Sequence, residues 1–161
     1  MNKNSKGFSL VELLIVVAVI LTIVAIAIPN LLRSRIAANQ SSAVASLHTL
    51  NIAETTYTTT YGMGYSSDML SLAAPATSSD NPSSAAAGLI DNALAAGVKS
   101  GYDFTYSPGA ADGSGHIDNY SFTANPVSSS TGTQYYYTDE SGVTRENTTT
   151  SAGSTDMPVG N

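Results

Sequence analysis

Hydrophobic and polar positions divide this chain into three regimes. Residues 8–32 are apolar at nearly every position, and within 13–28 only Thr22 breaks the run. At 1.5 Å per residue that stretch makes a helix of about 37 Å, longer than a bilayer core of about 30 Å. From residue 33 to 61 the continuous run becomes periodic. Ile36, Gln40, Ala43, Leu47, Leu50, Glu54, Tyr57 and Tyr61 recur alternately every four and three residues, one stripe along a helix, with Gln40 and Glu54 interrupting its apolar character. Pro29 falls between the two regimes, where inside a helix it removes the hydrogen bond to the Ala25 carbonyl and kinks the axis. No turn cluster follows it. The pattern therefore predicts one kinked helix over about residues 8–61, stopped by Gly62 and Gly64.

The third regime is shorter in period. Residues 62–87, rich in Ser, Ala and Pro, read as a surface loop with at most a helical turn near residues 68–72. "GLIDNALAAG" reads as a short helix ended by Gly97. Tyr102, Phe104 and Tyr106 alternate, as do Tyr120 and Phe122, which is strand periodicity. "TQYYYTDESGVTREN" reads as a hairpin turning over residues 139–142. An antiparallel sheet of three or four strands is expected to pack on the second half of the helix. The fold class is α+β: a long N-terminal kinked helix against a small antiparallel β-sheet head. The segment from residue 147, "NTTTSAGSTDMPVGN", is low in complexity and reads as a flexible Ser/Thr-rich tail.

Composition narrows the functions. Only 11% of the 161 residues are charged and the net charge is −6, with the acids spread from Glu54 to Asp156, so no basic patch for nucleic acid exists. With no cysteine, disulfides, thiolate metal sites and thioether haem attachment are excluded. No catalytic triad order, phosphate loop or metal-ligand spacing stands out, and the reading is of a protein that is not an enzyme. His48 and His116 read as structural histidines, and the nine tyrosines as packing for the head rather than a conducting stack. In "DGSGHID", Asp112, Ser114 and Asp118 surround two glycines, an oxygen set open to two readings, a calcium loop or a plain hairpin turn. The spacing does not fit an EF-hand. No other cofactor is expected.

Glu12 is the anomaly, a carboxylate inside the apolar run. An ionised acid at the centre of a membrane helix costs about 2.5–3.5 kcal/mol even on the lenient insertion scale, so a partner is expected. Lys3 and Lys6 precede the run and place the N-terminus in the cytoplasm, while Arg33 and Arg35 follow it and pull the other way. No small-residue cleavage site follows the apolar core, so the span is expected to be retained rather than removed as a signal peptide.

"KGFSLVELLIVVAVILTIVAIAIP" resembles the N-terminus of type IV pilins and type II secretion pseudopilins. Lys6 and Gly7 end a short basic leader, Phe8 is the aromatic first mature residue, Glu12 stands at the fifth mature position, and Pro29 lies near the far end of the apolar helix. The resemblance covers about the first 35 residues. It implies cleavage between Gly7 and Phe8 by a prepilin peptidase, which also methylates the new Phe8 amine. Glycine suits a cut site because a residue without a side chain lets the protease approach the backbone. Cleavage removes Lys3 and Lys6 and moves the net charge from −6 to −8, the new amine aside. Glu12 is then expected to pair with the Phe8 amine of a neighbouring subunit during assembly; pairing within one chain, at i and i+4, is the alternative.

The implied organisation is a prepilin leader over residues 1–7, a transmembrane and filament-core helix over 8–32, and an amphipathic helix half over 33–61. A globular head over 62–146 and the tail over 147–161 follow. The implied function is a type IV pilus subunit, a helical homopolymer built from an inner-membrane single-pass precursor by an assembly platform and its ATPase. The extracellular fibre would serve adhesion, motility or DNA uptake. A major pseudopilin and a monomeric signal-anchored binding protein are the alternatives.

Overall fold

The computed structural model describes residues 7–77 and 80–160. It falls into two compact units, Met1–Arg35 and Ile36–Asn161, with one helix, α1 (Leu10–Tyr61), contributing to both. The leader lysines Lys3 and Lys6 lie outside the described residues.

In the first unit every described residue is exposed. Leu10 is 77% and Ile26 70% exposed. The helix continues through Pro29, and it is long and apolar enough to cross a membrane. Two of its hydroxyls bond back to the helix: that of Thr22 donates to the Val19 carbonyl at 2.8 Å and that of Ser34 to the Asn30 carbonyl at 3.0 Å. Such back-bonding removes two polar hydrogens from an apolar surface.

The second unit is the head. Beyond α1 it contains a 3₁₀ turn at Met69–Leu72, a short helix α2 (Asn92–Ala95), and strands β1 (Val98–Lys99), β2 (Tyr102–Pro108), β3 (Tyr120–Pro126), β4 (Tyr135–Asp139), β5 (Arg145–Asn147) and β6 (Met157–Pro158). The six strands form one antiparallel meander in chain order. Alternation selects the buried face: Tyr102 and Phe104 on β2, Tyr120, Phe122 and Ala124 on β3, Tyr136 and Thr138 on β4. Register sets large residues beside small ones. Phe104 faces Ala124, which on its other side faces Tyr136, while Tyr106 faces Phe122 with ring centroids 4.7 Å apart.

The sequence stripe on α1 is the half of the core that this sheet covers. Ala43, Leu47, Leu50, Ala53 and Tyr57 join the sheet residues, Leu72, Ile90 and Leu94 in one buried cluster. The polar interruptions are buried or half-buried too, each with a partner. The Gln40 amide donates to the Thr133 hydroxyl at 3.0 Å. Asn51, off the stripe, donates to the Thr138 hydroxyl at 2.7 Å and accepts from the Tyr120 hydroxyl at 3.1 Å. These bonds specify which residue of the helix meets which strand, since an unpaired buried polar atom would be expensive.

Glu54 is wholly enclosed. The Ser66 N–H donates to its Oε2 at 2.9 Å and the Ser66 hydroxyl to its Oε1 at 2.6 Å, tying the chain after α1 back onto the helix. Tyr106 closes the site by donating its hydroxyl to the Ser66 carbonyl at 2.7 Å. Burial raises the Glu54 carboxyl above its usual range, and the Ser66 donors offset this only in part.

Three expectations change. The sheet has six strands rather than three or four, because β1 and β6 are two-residue strands without an alternation to read, recruited by pairing with β2 and β5. Residues 62–87 are not only a surface loop: Ser66, Met69, Leu72 and Ala87 are buried, and Gly64 bridges Ile117 at φ +80° with no room for a Cβ. The segment from residue 147, expected as a flexible tail, carries β6. Asp156 organises it by accepting from the Gly153 N–H at 2.8 Å and the Asn147 amide at 3.0 Å.

The raised Glu54 carboxyl fixes the sign of a pH effect. The folded head holds this proton more tightly than the unfolded chain, so its stabilising effect is full below 4.5, the ordinary value, and is lost as pH rises through the folded value. The thermal midpoint of the detergent-solubilised chain is expected to fall over that window and then level off, and Glu54→Gln to flatten the fall. An unchanged slope in the glutamine variant would locate the effect elsewhere.

Candidate functional site

The site foreseen at the N-terminus is built by the start of α1. Ser9 precedes the helix and its carbonyl accepts from the Leu13 N–H at 3.2 Å, while the Ser9 N–H donates to Glu12 Oε2 at 2.9 Å. This is the return half of a capping box, in which a glutamate at the third helical position bonds the backbone N–H of the capping residue. A first-turn carboxylate also suits the positive end of the helix dipole. Within the single chain, then, the partner of Glu12 is the backbone N–H of Ser9, one residue beyond the Phe8 nitrogen. Ser9 was missed in the sequence reading, yet its Ser-x-x-Glu spacing is a recognisable helix-start signal.

Gly7 and Phe8 are exposed immediately ahead of the helix, Phe8 at 82%, with open space around the position a Gly7 side chain would take. Pro29 lies 17 positions beyond Glu12 on the same helix and makes no side-chain contribution to this end.

The second candidate, the loop between β2 and β3, is closed by its own donors. Asp112 Oδ1 accepts from the Ser114 N–H, the Ser114 hydroxyl and the His116 N–H, each at 2.8 Å. These bonds, the His116 N–H first, hold the Asp112 carboxyl below its usual range. Asp118 instead faces His116, Oδ1 to Nδ1 at 2.9 Å. Asp112 and Ser114 are thus brought together and Asp118 engages a separate partner. Among the described residues no group of three or more His, Cys, Asp or Glu could hold a metal. His48 is exposed on α1, apart from any such cluster.

An exposed apolar helix with a capped acid in its first turn thus precedes an α+β head along the chain. Residues 2–28 match the family model described as the prokaryotic N-terminal methylation motif. Over 46 residues the chain is 50% identical to the Type IV wide pilus major component PilA4 of Thermus thermophilus, a match covering 29% of this chain and 35% of that relative. The chain thus spans about a third of the length of the curated relative it matches. No solved structure matches. The resemblance to type IV pilins read from the sequence is supported by both findings, and the long helix packed on an antiparallel sheet is the fold it implied.

Removing the Glu12 carboxylate is expected to loosen the start of α1. A first-turn carboxylate near a helix N-terminus contributes about 0.3–1 kcal/mol. In Glu12→Ala, amide hydrogen exchange at residues 9–12 of the micelle-bound precursor is expected to speed up several-fold, with the head amides unchanged. Unaltered exchange would show that the Ser9–Glu12 bond adds nothing to the helix start.

Proposed function

We propose that this chain is the structural subunit of a type IV pilus, cut between Gly7 and Phe8 by a prepilin peptidase and methylated on Phe8. The observation that carries the reading is the first unit: a methylation motif on a helix whose side chains all face outward and are nearly all apolar. Such a surface is covered either by lipid or by identical helices. In lipid, apolar side chains gain nothing from one another, so close packing and polar pairing must supply the specificity. Once helices leave the bilayer for an aqueous fibre, burial favours the bundle at about 25 cal/mol per Å² of apolar surface. Extraction is uphill, which calls for an ATP-driven platform in the inner membrane as a partner.

Glu12 has its place in that sequence. Cleavage creates a cation at Phe8, close to a carboxylate already held at the helix start by the Ser9 N–H. An amine from a neighbouring subunit can take over the carboxylate, since pairing two charges offsets part of the desolvation each suffers. The subunit itself performs no chemistry, and the reading needs no calcium in the Asp112 loop. The precursor crosses the inner membrane once, N-terminus in the cytoplasm, and the mature chain lies in the extracellular fibre.

The test is intact mass spectrometry of filaments sheared from cells that make this chain. The expected mass is that of residues 8–161 plus one methyl group. Glu12→Ala is expected to be processed normally but to lower sheared filament yield at least tenfold. A processed chain confined to the envelope would favour the pseudopilin reading. A full-length chain in membranes alone would leave only a signal-anchored head.

A further inference from the structure

Resting on the filament reading above, we propose that a cleft on the head receives an arginine, Arg33 or Arg35, from a second copy of this chain. The cleft, of about 540 Å³, lies between the head part of α1 and strands β4 and β5. Ala37, Val44 and Ala45 form one wall, Tyr136 forms the other, and Glu146 stands among them. Glu146 is half-buried and forms no ion pair among the described residues, where the pairs present are Lys99–Asp91 and His116–Asp118. Its charge is felt in the cleft: burial first, then Tyr102 and the Glu146 carboxylate, push the Tyr136 phenol upward.

The head has no free lysine or arginine to supply the missing cation, and His48, which also lines the cleft, makes no ion pair with Glu146 among the described residues. From residue 36 onward the chain has eleven acidic side chains and two basic ones, Lys99 and Arg145. Lys99 is bonded to Asp91 at 2.7 Å, and Arg145 Nη1 donates to the Asp156 carbonyl at 3.0 Å. Arg33 and Arg35, by contrast, are exposed and have no ion pair among the described residues. With the N-terminus cytoplasmic they also stand on the outer side of the span, against the usual distribution of cations around a membrane helix. A contact made only after extraction gives them a role there.

The chemistry of the cleft suits arginine. Its alkyl stem can lie along the apolar wall, its planar guanidinium can stack on a tyrosine ring, and its N–H fork matches a carboxylate bidentately. A single open pair of this kind is weak, but a filament repeats it at every subunit, and contacts within one assembly reinforce one another. The helix bundle would then set the core and this contact the rotation of one head past the next helix.

The absence of native cysteine makes the contact directly testable. Chains carrying E146C and chains carrying R33C or R35C would be co-assembled with unmodified chain as carrier, and the sheared filaments treated with a short bis-maleimide linker, because the Cβ atoms of an arginine–carboxylate pair stand too far apart for a direct disulfide. The expected result is a linker-bridged heterodimer of the E146C chain with one of the two arginine-site variants, identified by its mass. Both variant chains present in filaments without a heterodimer would overturn the inference, as would E146C homodimers alone. In a second measurement, E146R is expected to lower filament yield at least tenfold and pairing it with R33E or R35E to restore it. Failure of the unmodified chain to form filaments would overturn the filament reading and this inference together, whereas the first failures would overturn only the inference.

Discussion

A helix that is apolar all round cannot stand in water, and this single constraint organises the protein. Every described residue of the first unit is exposed, so nothing among the described residues relieves it. A soluble domain meets the same problem by turning one stripe inward, and α1 does so only from Ile36 onward. The same helix thus changes solvent along its length, and the change is written in its composition. The N-terminal part lacks a polar face, and the later part has one. A membrane or a set of identical helices satisfies the first part, and the head satisfies the second.

The head answers its half of the problem with polar contacts as well as apolar ones. Leucine and tyrosine packing would tolerate some sliding of the helix over the sheet, because hydrophobic contact has no direction. Asn51, Gln40 and Glu54 remove that freedom. Each places a hydrogen-bonding group opposite specific partners: Thr138 and Tyr120 for Asn51, Thr133 for Gln40, Ser66 for Glu54. Without disulfides, these bonds and the pairing of β5 with β6 hold the C-terminal region in place.

Glu12 and Glu54 are two carboxylates in apolar settings with opposite circumstances. Glu12 sits on an exposed surface, held by one backbone N–H, with lone pairs left for another donor. Glu54 is enclosed and takes both of its bonds from Ser66. The first arrangement is available to a second molecule. The second is complete within the chain, and it belongs to the architecture of the head.

Local periodicity determined a good deal by itself. The nearly continuous apolar run of residues 8–32, the four-and-three stripe from Ile36 to Tyr61 and the alternation at Tyr102–Phe104 and Tyr120–Phe122 each require only neighbouring residues, and each became the element it announced. The spacing of Gly7, Phe8 and Glu12 is equally local, which is why the N-terminus was legible as a resemblance. Tertiary structure alone decided what depends on distant partners. The two-residue strands β1 and β6 exist because β2 and β5 offer them backbone to pair with, and a pair of residues carries no period of its own. Glu54 is polar in the sequence whether it faces water or Ser66. Only the folded chain, by bringing residue 66 back over the helix, decides that it faces Ser66.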